Sequence, residues 1–313
     1  MLDCAIIGGG PAGLTAGMYA TRGGLKNVTL FEMGLPGGQI TKSSEIENYP
    51  GFFDSTKTGL DFMDTWTKQC FHFGLKHEMK KVESVKKTGE HFTISLEGGD
   101  TVEAKTAIVC TGAVPRRAGF KGEDEFYGKG VSTCATCDGF FYKDKPVTVL
   151  GGGDTALEEA FFLSNICSDV YVVHRRDMFR AAPPTLDRVI RKENIHLITD
   201  SVIEEAIGDA MGLSGVDIKN TKTNQITYMD NTGLFVFVGQ DVKNDVLKDK
   251  NGEFICEMSD SEQAVVTLKM HTSIEGLFVA GDLRIDAPKQ VVSAAGDGSI
   301  AALQVISYIQ EKQ

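Results

Sequence analysis

Two stretches of the chain share one pattern of apolar and polar positions. Residues 5–32 read AIIGGGPAGLTAGMYATRGGLKNVTLFE and residues 148–175 read TVLGGGDTALEEAFFLSNICSDVYVVHR, an internal repeat at an offset of 143 positions. Each opens with a short run of apolar residues without alternation, the signature of a parallel strand buried on both faces. Three glycines follow, then apolar residues at helical spacing (Leu14 and Met18; Leu157 and Phe161), then a β-branched second run. The pattern predicts a βαβ unit twice, each opening strand central in its own sheet. Phe92–Leu96 and Thr106–Val109 read as further strands, and the turn chemistry of Thr111-Gly112-Ala113-Val114-Pro115 closes the segment, placing a boundary near residue 114.

The second copy extends to a buried strand at Leu234–Val238, the longest apolar run, after which Gln240–Asp245 is polar and reads as a connector. A last strand, Leu277–Ala280, leads into Gly281-Asp282, and apolar spacing from Val291 through Ala301, Leu303 and Ile306 predicts a helix. These final residues, about 70 of them, are too few for a third nucleotide-type domain. They are expected to return and complete the first. The predicted fold is α/β with two dinucleotide-binding, Rossmann-like domains, the second inserted into the first: 1–114, then 115–241, then 242–313.

The length of 313 residues agrees with two domains. Lys plus Arg number 32 against 43 Asp plus Glu, a net charge of −11, so the surface as a whole repels nucleic acid and anionic lipid, and any anion site must be local. No apolar run approaches the roughly 18 to 20 residues of a membrane span. The N-terminus lacks a basic region and an apolar signal core, and seven cysteines are spread thinly, so a cytoplasmic protein with mostly reduced thiols is expected.

The first loop carries Gly8-x-Gly10-Pro11-Ala12-Gly13 between a strand and a helix. There the first glycine permits the turn, the second admits a pyrophosphate, the third packs helix on strand, and the helix N-terminus attracts the anion. Glu32, 24 residues after Gly8, stands where a carboxylate accepts from the ribose hydroxyls of a dinucleotide and repels a 2′-phosphate. The second loop is Gly151-x-Gly153-Asp154-Thr155-Ala156, with alanine in the third place. The 143-residue offset carries Glu32 onto Arg175, beside His174, Arg176 and Arg180. This inversion of charge argues for NADP over NAD, because guanidinium groups match phosphate bidentately. The alternatives are a glycine turn without a ligand and a solvated basic strand end. Two loops of opposite sign suggest one bound flavin and one exchanging nicotinamide.

Cys134-Ala135-Thr136-Cys137-Asp138 precedes the second unit. A CxxC pair can close a redox disulfide. No second CxxC or CxxH accompanies it, as a tetrahedral zinc site would need, so no metal is expected; inert buried thiols are the other alternative. Asp138 is placed to give and take a proton as thiols and disulfide interconvert, or else to cap a helix.

The order GxGxxG, CATCDGFFY, GGGDTALEEA, VHRRDMFR and VAGDLR resembles the bacterial low-molecular-weight thioredoxin reductases over essentially the whole chain. That resemblance implies FAD in the first domain and NADPH in the inserted one, with a homodimer through the FAD domains. Cys137 would face the flavin, Cys134 would exchange with thioredoxin, and Asp138 would handle the proton. The FAD site would take in Gly8–Gly13, Glu32, Gly37, Gly38, Gln39, Asn48, Gly112, Gly281, Asp282, Gln290 and Val291; the NADPH site would take in Gly151, Gly153, Asp154, Thr155, Ala156, His174, Arg175, Arg176 and Arg180. Phe140 and Phe141 would form part of the thioredoxin docking surface, or else are core aromatics, and Asp282 could be only a turn residue. Two segments depart from the family pattern. Gln240–Asp245 replaces a proline-asparagine turn, and Pro288-Lys289 stands where an aromatic and an arginine are frequent.

Overall fold

The computed structural model describes residues 1–43, 46, 48–52, 54 and 56–312. The chain opens with β1 (Leu2–Ile7), α1 (Pro11–Arg22) and β2 (Val28–Phe31), the first βαβ unit. Next come α2 (Gly59–His72), β3 (Lys76–Glu78), β4 (Val82–Thr88), β5 (His91–Leu96), β6 (Thr101–Val109) and β7 (Ala113–Pro115). After β8 (Val131–Ser132) and the single turn α3 (Ala135–Asp138), β9 (Val147–Gly151), α4 (Asp154–Leu163) and β10 (Val170–Val173) form the second unit. The chain continues through α5 (Pro183–Ile190), β11 (Ile195–Ile198), β12 (Ser201–Asp209), β13 (Gly212–Asn220), β14 (Ile226–Asp230), β15 (Gly233–Phe237) and β16 (Gln240–Val242). It ends with β17 (Leu277–Val279) and α6 (Val291–Glu311).

The structure divides into two compact units, one of residues 1–114 and 242–313 and one of residues 115–241. In the first unit the sheet order is β3-β2-β1-β6-β5-β4, with β17 parallel to β6. β1 lies between parallel partners β2 and β6, which explains its unalternating apolar sequence: Cys4, Ala5 and Ile6 are fully buried. The returning segment belongs to this core. Phe278 and Ala280 pack with Ile6 and Leu30, and α6 sends Ala301, Ala302 and Val305 into the same cluster. In the second unit the parallel order is β11-β10-β9-β15-β8, again with the strand before the glycines flanked by two partners. The separate antiparallel sheet β12-β13-β14 has no counterpart in the repeat and was not marked by the βαβ pattern. β7 and β16, the two passages between the units, pair as a two-stranded sheet. Among the described residues no helix is long and apolar enough to cross a membrane.

Candidate active site

In the first unit the glycine loop is built by contact. A methyl on Gly13 would lie 1.9 Å from the carbonyl oxygen of Gly8, and Gly8 itself holds φ +104°, where a methyl would lie 2.5 Å from the Cys110 carbonyl oxygen. Only glycine satisfies both. Gly10, the N-cap of α1, faces the opposite condition, since a methyl there would meet nothing nearer than the Gly38 Cα at 3.9 Å. Open space at a helix N-terminus with uncommitted N–H groups suits a pyrophosphate.

The other residues expected at this site gather around it. Gly9 donates to Glu32 Oε2 at 2.7 Å and Gly34 donates to Oε1 at 3.3 Å, so the carboxylate is pinned beside the loop. Gly37 donates to the Gly9 carbonyl at 2.8 Å, which lays Gly37-Gly38 over the turn, and the Gln39 amide donates to the carbonyl of Ala113. Asn48 Nδ2 donates to Gln290 Oε1 at 3.2 Å across 242 residues of sequence. Gly112, at φ +71°, accepts from Lys243 N–H at 2.9 Å, and Val291 begins α6.

Asp282 is the unsatisfied group of this site. Among the described residues its carboxylate has no hydrogen-bond partner, and burial, reinforced by the Asp297 carboxylate and opposed by Lys289 and Arg284, pushes its pKa up to about 6. A carboxylate in that condition fits a chain of ligand hydroxyls. Lys289, the departure from the family pattern, thus supplies positive charge next to Asp282. Sequence reasoning missed what holds this corner. Asp297 of α6, 6% exposed, accepts from Arg284 Nε at 2.6 Å, from Arg284 Nη2 at 3.1 Å and from Gly281 N–H at 3.1 Å. A lone acid in the run SAAGDGSIAA was the available signal.

In the second unit Gly153 caps α4, and a methyl there would meet nothing within 4 Å. Ala156 is tolerated as the third member because its methyl faces Gly151, which has none. Arg175, Arg176 and Arg180 are exposed, and among the described residues none has a carboxylate within ion-pair distance. Arg175 and Arg180 line a cavity of about 310 Å³ with Arg116 and Arg117, two arginines the sequence reading did not single out. His174 sits differently from its neighbours. It is 5% exposed, packed under Gly152 and stacked on Phe179, with Nε2 3.2 Å from the Met178 carbonyl oxygen, and burial first and then the nearby arginines lower its pKa. Asp154 accepts from Ala182 N–H at 2.7 Å and Arg180 N–H donates to the Gly152 carbonyl at 2.7 Å, so the C-terminal end of the arginine segment is tied to the glycine loop. Thr155 is exposed in the first turn of α4.

Cys134 and Cys137 are joined as a disulfide. Asp138 stands at the N-cap of the single helical turn Gly139–Tyr142, but its side chain makes no capping hydrogen bond. Its Oδ2 accepts from the Ser132 hydroxyl at 2.5 Å, and burial raises its pKa while that hydrogen bond opposes the rise. Phe140 and Phe141 are 65% and 44% exposed, which removes the core alternative. The other five cysteines are buried, and burial pushes the thiols of Cys4 and Cys70 up to about 12 and those of Cys167 and Cys256 up to about 11. They are protonated at neutral pH and inert.

The family model of the pyridine nucleotide-disulphide oxidoreductases matches residues 2–298. The chain belongs to this family. Within it the similarity is to thioredoxin reductases: 59% identity to the one from Helicobacter pylori over 99% of both chains, and 40% to the one from Peptoclostridium acidaminophilum over 98% of this chain and 97% of that one. Among solved structures, the thioredoxin reductase of Streptococcus pyogenes superposes with a TM-score of 0.91 at 38% identity, covering 99% of each chain. That of Giardia duodenalis gives 0.91 at 36%, covering 98% of each. Family membership makes the chain an oxidoreductase and accounts for two glycine loops and one disulfide in a single polypeptide.

Proposed function

We propose that the protein is an NADPH-dependent thioredoxin-disulfide reductase, passing electrons from NADPH through FAD to the Cys134–Cys137 disulfide and on to oxidised thioredoxin. The observation that carries this is the disulfide itself, formed next to a half-buried acid and in the same unit as a glycine loop flanked by unpaired arginines. FAD, when bound, supplies the conversion of a hydride from NADPH into a pair of electrons for the disulfide.

The chain's own residues do the rest. Gly8, Gly10, Pro11, Ala12 and Gly13 with Glu32 hold the adenosine diphosphate part of FAD, while Asp282, Gly281, Asn48 and Gln290 hold its polyol and ring end. Gly37, Gly38, Gln39, Gly112 and Val291 close the walls. Gly151, Gly153, Asp154, Thr155 and Ala156 receive the NADPH pyrophosphate, and Arg175, Arg176 and Arg180, backed by His174, read its 2′-phosphate. Two electrons entering the disulfide break its S–S bond, and Asp138 gives its proton to one of the two thiolates. The Cys134 thiolate then attacks the thioredoxin disulfide and expels one of its sulfurs; Cys137, returning its proton to Asp138, attacks the Cys134 sulfur and expels the other, which re-forms the Cys134–Cys137 bond, and the two thioredoxin thiolates take up two protons from solvent. The exposed Phe140 and Phe141 offer an apolar surface to the incoming thioredoxin. A homodimer through the FAD-binding unit and a role in cytoplasmic thiol balance complete the reading.

Cys137→Ser tests it. The variant is expected to retain FAD and still pass electrons from NADPH to a small artificial acceptor, with thioredoxin reduction abolished. Substantial thioredoxin reduction by this variant would show that electrons bypass the disulfide.

A further inference from the structure

Ser132 ends β8, two residues before the disulfide, and is 5% exposed. Its one hydroxyl meets three groups. It donates to Asp138 Oδ2 at 2.5 Å, accepts from Cys134 N–H at 3.1 Å and lies 3.4 Å from the Cys134 carbonyl oxygen. A hydroxyl carries one proton and two lone pairs, so it cannot donate to the carboxylate and the carbonyl together. We propose that Ser132 is a positioning residue of the disulfide reaction, a hydrogen-bond switch that ties the protonation state of Asp138 to the backbone of Cys134. The proposal rests on the assignment of Asp138 as the proton donor.

The two states follow from donor counting. With Asp138 ionised, Ser132 gives its proton to Oδ2 and holds the carboxylate in place. With Asp138 protonated, the carboxyl donates to Ser132 Oγ, both lone pairs are filled by Asp138 and Cys134 N–H, and the hydroxyl proton turns to the Cys134 carbonyl. Each state satisfies the hydroxyl fully, and the change between them moves one proton between Asp138 and a cysteine thiolate with no other group altering charge.

The surroundings leave Ser132 the principal hydrogen-bonding partner. Burial raises the Asp138 pKa and the Ser132 bond is what opposes it. Of the elements packed on α3, the turn after it brings the Tyr142 phenol, pushed up to about 12 by burial and then by Asp138, and so neutral throughout the working range. α4 brings Asp154, Glu158 and Glu159 as its titratable groups. The other titratable neighbours, Cys134 and Cys137, are in the disulfide.

The test is the pH profile of thioredoxin reduction in Ser132→Ala and Ser132→Thr holoenzymes. Proton donation by Asp138 fails as pH rises through its pKa. Loss of a hydrogen bond to the charged form raises that pKa, so the alkaline limb in Ser132→Ala moves up by about one pH unit, while Ser132→Thr, which keeps the hydroxyl, leaves it in place. NADPH-driven reduction of a small acceptor, which bypasses the disulfide, stays as in the unmodified enzyme. An unmoved limb in Ser132→Ala overturns the proposal. If neither variant folds, infrared difference spectra of the unmodified protein decide: the carboxyl band lost in Asp138→Asn should lie at a hydrogen-bonded frequency, and a free-acid frequency overturns the switch. Failure of the unmodified enzyme to reduce thioredoxin would instead reject the assigned activity and leave this infrared result standing.

Discussion

The two glycine loops are one backbone device used with opposite charge. Each sits between a central parallel strand and a helix N-terminus, and each leaves open space at its second glycine. They differ at the end of the next strand. Glu32 is held by the N–H groups of Gly9 and Gly34, whereas Arg175 and its neighbours Arg176 and Arg180 project exposed with no carboxylate partner among the described residues. A pinned carboxylate beside a loop covered by Gly37-Gly38 suits a resident dinucleotide. Unpaired guanidinium groups on an open rim suit one that comes and goes, because its phosphate need not displace an internal partner. On the assignment proposed above, the loop would receive a pyrophosphate, and the strand end would select which nucleotide binds and how long it stays.

The largest expected effect probes the third loop position. Gly13→Ala puts a methyl 1.9 Å from the Gly8 oxygen and must move backbone, so it should cost about 3 kcal/mol or more and release the flavin, seen as a colourless or insoluble preparation. A yellow, stable Gly13→Ala protein would erase the distinction between the loops, since the second already carries Ala156.

The next effect concerns Asp282, the buried acid of the first site. A folded-state pKa of about 6 against 3.8 means the native apoprotein binds the extra proton between those values, so stability falls as pH rises through that window. The shift corresponds to about 3 kcal/mol, and Asp282→Asn should flatten the melting-temperature profile of flavin-free protein between pH 4 and 6.5. An unchanged slope would place Asp282 in contact with a partner.

At the second site, Arg175→Ala removes a charge-assisted contact of roughly 1.5 to 3 kcal/mol. Efficiency with NADPH should fall about ten- to a hundredfold while NADH use stays nearly constant, and equal losses would mean the arginine does not read the 2′-phosphate. The smallest effect is Ala156→Gly, which makes the loops alike at their third position. It removes a buried, helix-favouring methyl that faces Gly151, and urea unfolding should register a loss of only about 1 kcal/mol.

Legibility followed the range of the interactions. The βαβ units and their central strands could be read directly, because a strand buried on both faces must be continuously apolar and the glycines are dictated by contacts within a few residues. The returning segment could be inferred because β17 and α6 have apolar faces that need a core. What escaped were groups whose meaning lies in a distant partner: Arg284 and Asp297 around Gly281, and Arg116 and Arg117 at the rim of the second loop. Asn244 is another. It lies in the segment that departs from the family pattern, is 2% exposed, and its amide donates to the Glu262 carbonyl at 2.8 Å.

By itself the sequence determined the repeat, the opposite signs of Glu32 and Arg175, and the CxxC followed by an acid, since each is a matter of residue type at fixed spacing. Only the tertiary structure decided which of these groups are satisfied. Among the described residues it left the Asp282 carboxylate without a hydrogen-bond partner, buried His174 beneath Gly152 while its arginine neighbours stayed exposed, and set the Ser132 hydroxyl against both Asp138 and Cys134. The reason is physical: a side chain's charge and hydrogen-bonding capacity are written in its chemistry, but its protonation and its freedom depend on burial and on partners brought close only by the fold.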